Sequence, residues 1–159
     1  MSYHMRRKEK EIKDTFNLTE ILKNGKYTTI SMCRGNEPYI VTLSYGYDSS
    51  TNSLYFHCAN EGLKLEFIKE NPNVCATIIE DKGYKMNECN HTYHSVILRG
   101  KMKIIKDIRD KKHGFDVLLH HLEENPEKLK KRLFKTNEPY ESTCILRMDI
   151  VSIQGKEGA

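Results

Sequence analysis

The stretch with the clearest chemical potential is Leu54-Tyr55-Phe56-His57-Cys58-Ala59-Asn60-Glu61-Gly62-Leu63-Lys64. A β-rich run passes into a helix start there, with polar atoms at the joint and a lysine in the first turn. Backbone N–H groups at a helix start are unpaired and point outward, beside the positive end of the helix dipole. Such an end binds anions, and a lysine next to it suits a phosphate group. The bland alternative is an ordinary strand-to-helix joint with Lys64 in solvent. His57 has ring nitrogens that suit either ligand contact or a bond to a backbone carbonyl. Cys58 fits a phosphate contact or a small buried hydrophobe equally well.

Other clusters are weaker. Cys89-x-His91-x-x-His94 offers metal-ligand types, with Cys33 or Cys144 as further ligands. Zinc sites usually show tight ligand pairs such as C-x-x-C. The spacing here is irregular, and no metal is expected. His120-His121 is expected in solvent near a helix end, where it offsets the dipole. Tyr39, Tyr45, Tyr47 and Tyr55 can stack on an aromatic ligand, although tyrosine in β-rich segments more often packs across strands.

These residues sit in a chain of 159 residues, enough for a single domain spanning 1–159 with its own core. A net charge of +4 is too mild to demand a nucleic-acid partner, and the basic residues are dispersed. No apolar run approaches the roughly 20 residues of a membrane helix. The charged start, Met5-Arg6-Arg7-Lys8, is not followed by an apolar core, so no secretory signal is expected. Five cysteines at irregular spacing then read as reduced thiols of a cytoplasmic protein.

Residues 1–16 read as an arm. Asn17 is expected to cap a first helix, with Glu20 completing a capping box and Leu18, Ile21 and Leu22 as the apolar face. Gly25 ends it. Residues 27–32, 39–47 and 54–58 read as strands, with Gly35-Asn36 and residues 48–52 as turns. Asn60 is expected to cap the next helix, which carries Leu63, Phe67 and Ile68 inward and stops at Asn71-Pro72. Residues 74–79 form a strand, 81–92 a loop, and 93–105 one strand or two, with Gly100 as a bulge or bend. Phe115, Leu118, Leu119 and Leu122 repeat at helical spacing within 107–122. Asn125-Pro126 opens another helix, with Lys128, Lys130, Lys131 and Arg132 on a solvated face, and residues 144–153 form the last strand. The connections are too short for parallel crossovers, so the class is mainly β (α+β), an antiparallel sheet or barrel with flanking helices.

An ordered set of segments carries a family resemblance. Pro38 to Asp48, then Leu-Tyr-Phe-His-Cys-Ala-x-x-Gly-x-Lys, then Asn71-Pro72-x-Val74-Cys75, then Tyr93-His94-Ser95-Val96-x-x-x-Gly100 together resemble the pyridoxamine-phosphate-oxidase-like superfamily. The closest branch is the one with 5-nitroimidazole reductases, which Met5-Arg6-Arg7-Lys8 and Gly155-Lys156-Glu157 also resemble. The resemblance implies an FMN-binding split barrel with flavin sites at a homodimer interface. It implies that Val41, Thr42, Leu43 and Ser44 border the flavin ring, and that His57 and Cys58 lie near the phosphate and ribityl chain. It implies that Leu63 and Lys64 are the phosphate-binding pair and that Ser95 lies near the ring. The vitamin B6 oxidases carry basic residues around their 41–43 strand and a C-terminal tryptophan. This chain has no tryptophan, so B6 oxidation is not implied.

The implied activity is NAD(P)H-dependent electron transfer through flavin to a small acceptor such as a nitroaromatic. His57 is the candidate catalytic residue, as a polar contact to flavin or acceptor. No Gly-rich dinucleotide fingerprint is present, so the nicotinamide would bind transiently over the flavin. Two other readings stay open: a flavin carrier or sensor without turnover, and a small barrel that binds nucleic acid. Neither a nucleic-acid nor a membrane partner is expected on the flavin reading.

Overall fold

The β-branched and aromatic runs form strands because each has one face to bury and a neighbour to pair with. The structure, a computed structural model, describes residues 5–158. Its strands are β1 (Glu11–Ile12), β2 (Tyr27–Arg34), β3 (Glu37–Ser44), β4 (Gly46–Asp48), β5 (Ser53–Cys58), β6 (Asn73–Lys85), β7 (Asn90–Ile105) and β8 (Cys144–Gly158). They form one antiparallel sheet in the order β3-β2-β6-β7-β8-β5-β4, with β1 on the far end of β8. The helices are α1 (Thr15–Asn24), α2 (Leu63–Glu70), α3 (Ile108–Leu122), α4 (Pro126–Leu133) and α5 (Glu138–Glu141).

The sheet curls around a main core in which Phe56, Phe67, Leu98, Leu146 and Met148 are fully buried. Helix α1 closes this core through Leu18, Ile21 and Leu22, and α2 through Leu65, Phe67 and Ile68. A second cluster forms outside β5 and β8, where Phe115 and Leu118 of α3 meet Tyr55, Tyr140 and Ile145. The expected bend at Gly100 is present: the β7–β8 register shifts between Arg99 and Gly100.

Several expectations need correction. Among the described residues of the expected arm, β1 pairs with β8 and α1 starts at Thr15. The arm's first four residues, like Ala159, lie outside the described residues. The α1 cap is Asp14, not Asn17. Its carboxylate accepts hydrogen bonds from the N–H groups of Phe16 at 3.2 Å and Asn17 at 3.3 Å. Asp14→Ala should therefore lower stability by about 0.5–2 kcal/mol, whereas Asn17→Ala should stay within about 0.5 kcal/mol; thermal unfolding compares the two. The expected loop at 81–92 is largely a β6–β7 hairpin, with Tyr84 opposite His91. Helix α5 was not foreseen, and β8 runs on to Gly158.

His121 is not a solvent histidine. Its Nε2–H donates to the Gly25 carbonyl at 2.6 Å, and its Nδ1 accepts from the Tyr47 N–H at 3.4 Å. Burial holds its pKa below the ordinary value, with Lys26 adding to the effect and the Gly25 carbonyl opposing it. The unfolded chain thus takes up this proton first. The contribution of His121 to stability is full above about pH 6.5 and is lost as pH falls below it. His121→Asn should flatten the stability profile between about pH 7 and pH 5, before the carboxylates titrate. Denaturant midpoints across that range test this.

Candidate functional site

The site begins where β5 ends. Along β5, Leu54 and Phe56 face the core while Tyr55 and His57 face outward toward α3. His57 is exposed, with its ring 6.5 Å from Phe115. Cys58 is half-buried and turns inward, so His57 and Cys58 do not share a face. The chain then crosses Ala59 to Gly62 and enters α2.

The α2 N-terminus carries no side-chain cap. Asn60, the expected cap, donates its side-chain N–H to the Glu141 carbonyl at 3.2 Å. Gly62 occupies the cap position with φ 139°, a conformation that a Cβ makes costly. The Leu63 and Lys64 N–H groups therefore begin the helix beside its positive end. Lys64 is half-buried. Leu63 is 43% exposed and stands outside the apolar stripe, which is Leu65, Phe67 and Ile68.

The barrel holds α2 firmly. Arg34 of β2 lies 4.6 Å over the Phe67 ring, and Tyr39 of β3 lies 5.1 Å from it. Arg34 also bonds Glu37 at 2.9 Å and reaches Glu66 at 3.7 Å. The lysine-bearing turn is thus placed by packing, not by a flexible loop.

The second part of the site is an open sheet face. β3 is an edge strand, whose outer N–H and C=O groups have no ladder partner among the described residues. Val41 and Leu43 turn toward the core, while Thr42 and Ser44 are exposed on the outer face. The row Thr42, Thr29, Thr77, Ile97, Gln154 crosses that face in register. Thr42 and Thr29 share a hydroxyl bond at 3.0 Å. Ser95 lies on the same face, between Ile79 and Lys156. Ile40, Ile79 and Ile97 are 64%, 59% and 44% exposed, a concentration of apolar surface that marks interaction sites. A groove of about 400 Å³ on this face is lined by Ser31, Cys75, Arg99 and Lys101, none of them foreseen.

The residues at positions 15–157 match the family described as pyridoxamine 5'-phosphate oxidase. The chain belongs to the pyridoxamine 5'-phosphate oxidase family. Solved structures agree on the fold. A candidate 5-nitroimidazole antibiotic resistance protein from Bacteroides thetaiotaomicron superposes with a TM-score of 0.77 at 21% identity, over 99% of this chain and 96% of that one. The flavocytochrome Anf3 from Azotobacter vinelandii gives 0.82 at 16% identity, over 98% and 72%. An FAD-binding protein from Mesorhizobium loti gives 0.66 at 20% identity, over 92% and 96%. None of the curated proteins matches the chain. The fold is thus the split barrel of the pyridoxamine 5'-phosphate oxidase family.

Within this family fold the structure gathers some expected residues and separates others. Lys64 lies close enough to Cys58 and Cys144 to act on both thiols. Ser95 does not join them. Cys144 begins β8 beside the Ile105 end of β7, leaving roughly 30 Å of strand between that end and Ser95. The histidines of the Cys89–His94 segment are engaged otherwise: His91 bonds Asp81 at 2.7 Å and His94 bonds Glu80 at 2.9 Å. Cys89 is exposed in the turn between β6 and β7. Among the described residues, no helix is long and apolar enough to cross a membrane.

Proposed function

We propose that this chain is a flavoprotein that holds FMN between two copies of itself and passes electrons from a reduced nicotinamide to a small acceptor of the nitroaromatic class. The observation that carries the reading is the uncapped α2 N-terminus with Lys64 on its first turn. Free N–H groups, a dipole and the Lys64 ammonium form a fitting cradle for a terminal phosphate. Family membership and relatives described as FAD-binding, flavocytochrome and nitroimidazole-resistance proteins support it.

The bound flavin supplies the two-electron chemistry. The chain's own residues bind and orient it. Lys64 and the Leu63 and Lys64 N–H groups take the phosphate. The edge of β3 from Val41 to Ser44 presents backbone donors and acceptors toward the ring, and Thr42 and Ser44 add hydroxyls. His57 is the exposed polar group nearest the strand end. Cys58 stands at the phosphate end. Ser95 lies too far along β7 to join Lys64 of its own chain. In a homodimer the apolar outer face is covered and Ser95 of a second copy completes the site.

The test uses purified protein loaded with FMN. NADH or NADPH should bleach the flavin, and a 5-nitroimidazole should restore its colour. A protein that binds flavin but is not reduced would be a carrier or sensor. That second reading is favoured by one feature: the His57 ring stacks toward Phe115 and, among the described residues, has no hydrogen-bonded acid or base to complete a catalytic pair.

A further inference from the structure

Two sulfurs meet in the core near the start of α2, and the flavin reading gives neither of them a redox role. Cys58 closes β5, Cys144 opens β8, and the two are direct register partners. Opposed residues of an antiparallel pair hold their Cα atoms about 4.5–5.5 Å apart. A disulfide spans about 4.4–6.8 Å. Both side chains turn to the core face, and each sulfur is near enough to shift the titration of the other. None of Cys33, Cys75 and Cys89 has a cysteine opposite it.

The surroundings favour reactivity. Cys144 is only 3% exposed, yet it lines a cleft of about 490 Å³ together with Asn60, Lys69, Lys106 and Lys111. The thiol therefore borders a cavity that a small solute can enter. Lys111 is fixed there by bonds from its Nζ to the carbonyls of Tyr140 at 3.1 Å and Thr143 at 2.9 Å, the latter adjoining Cys144. Lys64 and Lys69 face the sulfur from α2, and no carboxylate lines the cleft. Ammonium groups without a competing carboxylate favour a thiolate. Donation from the Cys58 S–H holds the Cys144 thiol below its ordinary range and, in turn, pushes Cys58 up.

We propose that Cys58 and Cys144 form a redox-active dithiol that a hydroperoxide oxidises to an intramolecular disulfide. The Cys144 thiolate attacks one peroxide oxygen, the O–O bond breaks, and hydroxide leaves. Cys144 is then a sulfenic acid. The Cys58 sulfur attacks the Cys144 sulfur, the S–O bond breaks, and the departing hydroxide takes the Cys58 proton. The first hydroxide takes up the proton that the Cys144 thiol lost, so two thiols lose two electrons and hydrogen peroxide becomes two waters, or an alkyl hydroperoxide one water and one alcohol. The bridge ties the start of β8 to the strand end that leads into α2. The reaction uses no flavin, so it stands or falls apart from the cofactor reading.

The test treats the purified full-length chain with equimolar hydrogen peroxide, blocks remaining thiols by alkylation, and maps peptides without reduction. The expected product is a linked Cys58–Cys144 peptide that dithiothreitol reverses, with exposed Cys89 still alkylated. In Cys58→Ser, dimedone should trap a sulfenic acid on Cys144. In Cys144→Ser, oxidation of Cys58 should slow by roughly tenfold or more. The proposal is overturned if Cys58 and Cys144 both stay alkylatable while Cys89 oxidises. It is equally overturned if Cys144 proceeds to sulfinic acid with Cys58 free.

Discussion

Replacing Lys64 with alanine should weaken FMN binding by about 1.5–3 kcal/mol, the scale of a charge-assisted hydrogen bond. That corresponds to roughly a ten- to hundredfold rise in Kd. The side chain leaves the first turn of α2, but the helix keeps Leu65, Phe67 and Ile68 in the core. The barrel should therefore stay folded, and circular dichroism should match the parent. Lys64→Arg should retain most of the affinity, because the charge and the donors remain. Added salt should narrow the gap between Lys64→Ala and the parent, since screening weakens exposed charge contacts. Flavin fluorescence titrations at two salt concentrations give these numbers. Equal Kd values for the parent and Lys64→Ala would remove the phosphate assignment.

Replacing Phe56 with alanine should have the largest effect on stability. Phe56 is fully buried in the main core, opposite Leu146 on β8. Truncating such a ring removes its transfer energy and leaves a cavity, at about 3–5 kcal/mol. A domain of this size should then lose roughly 10 °C in Tm, at about 2–4 °C per kcal/mol. The same strand carries His57 and Cys58 and leads into α2, so flavin affinity should fall together with stability. Lys64→Ala separates the two quantities, since it should change affinity alone. Thermal unfolding of both variants distinguishes a positioning strand from a direct contact.

Parts of the fold were legible because local patterns agreed with tertiary demands. The spacing of Phe115 and Leu118 announced α3, and both side chains are buried. Asn125 and Pro126 announced α4, and the Asn125 side chain accepts from the Lys128 N–H at 3.0 Å. Other parts were set by distant partners. The polar residues around Tyr84 form a strand because β7 pairs with them, although no face there needs burial. The tail from Gln154 to Gly158 lacks alternation but is held between β1 and β7. Asp14 and Asn17 are both good caps by type, and the earlier helix start decided between them.

The site divides the same way. The Gly62–Lys64 turn could be read from the order of residue types alone. The loss of Asn60 as a cap could not, because its partner Glu141 lies across the fold. The opposite facing of His57 and Cys58 follows from strand alternation, once β5 is known to run through Cys58. The Cys58–Cys144 pairing rests on the β5–β8 ladder, which joins residues far apart in the chain.

Titration of the purified chain with FMN, followed by quenching of flavin fluorescence, probes the phosphate cradle most directly. Saturable quenching at one flavin per chain is the predicted result. A flat titration, with all added flavin left bright and free, would contradict the account.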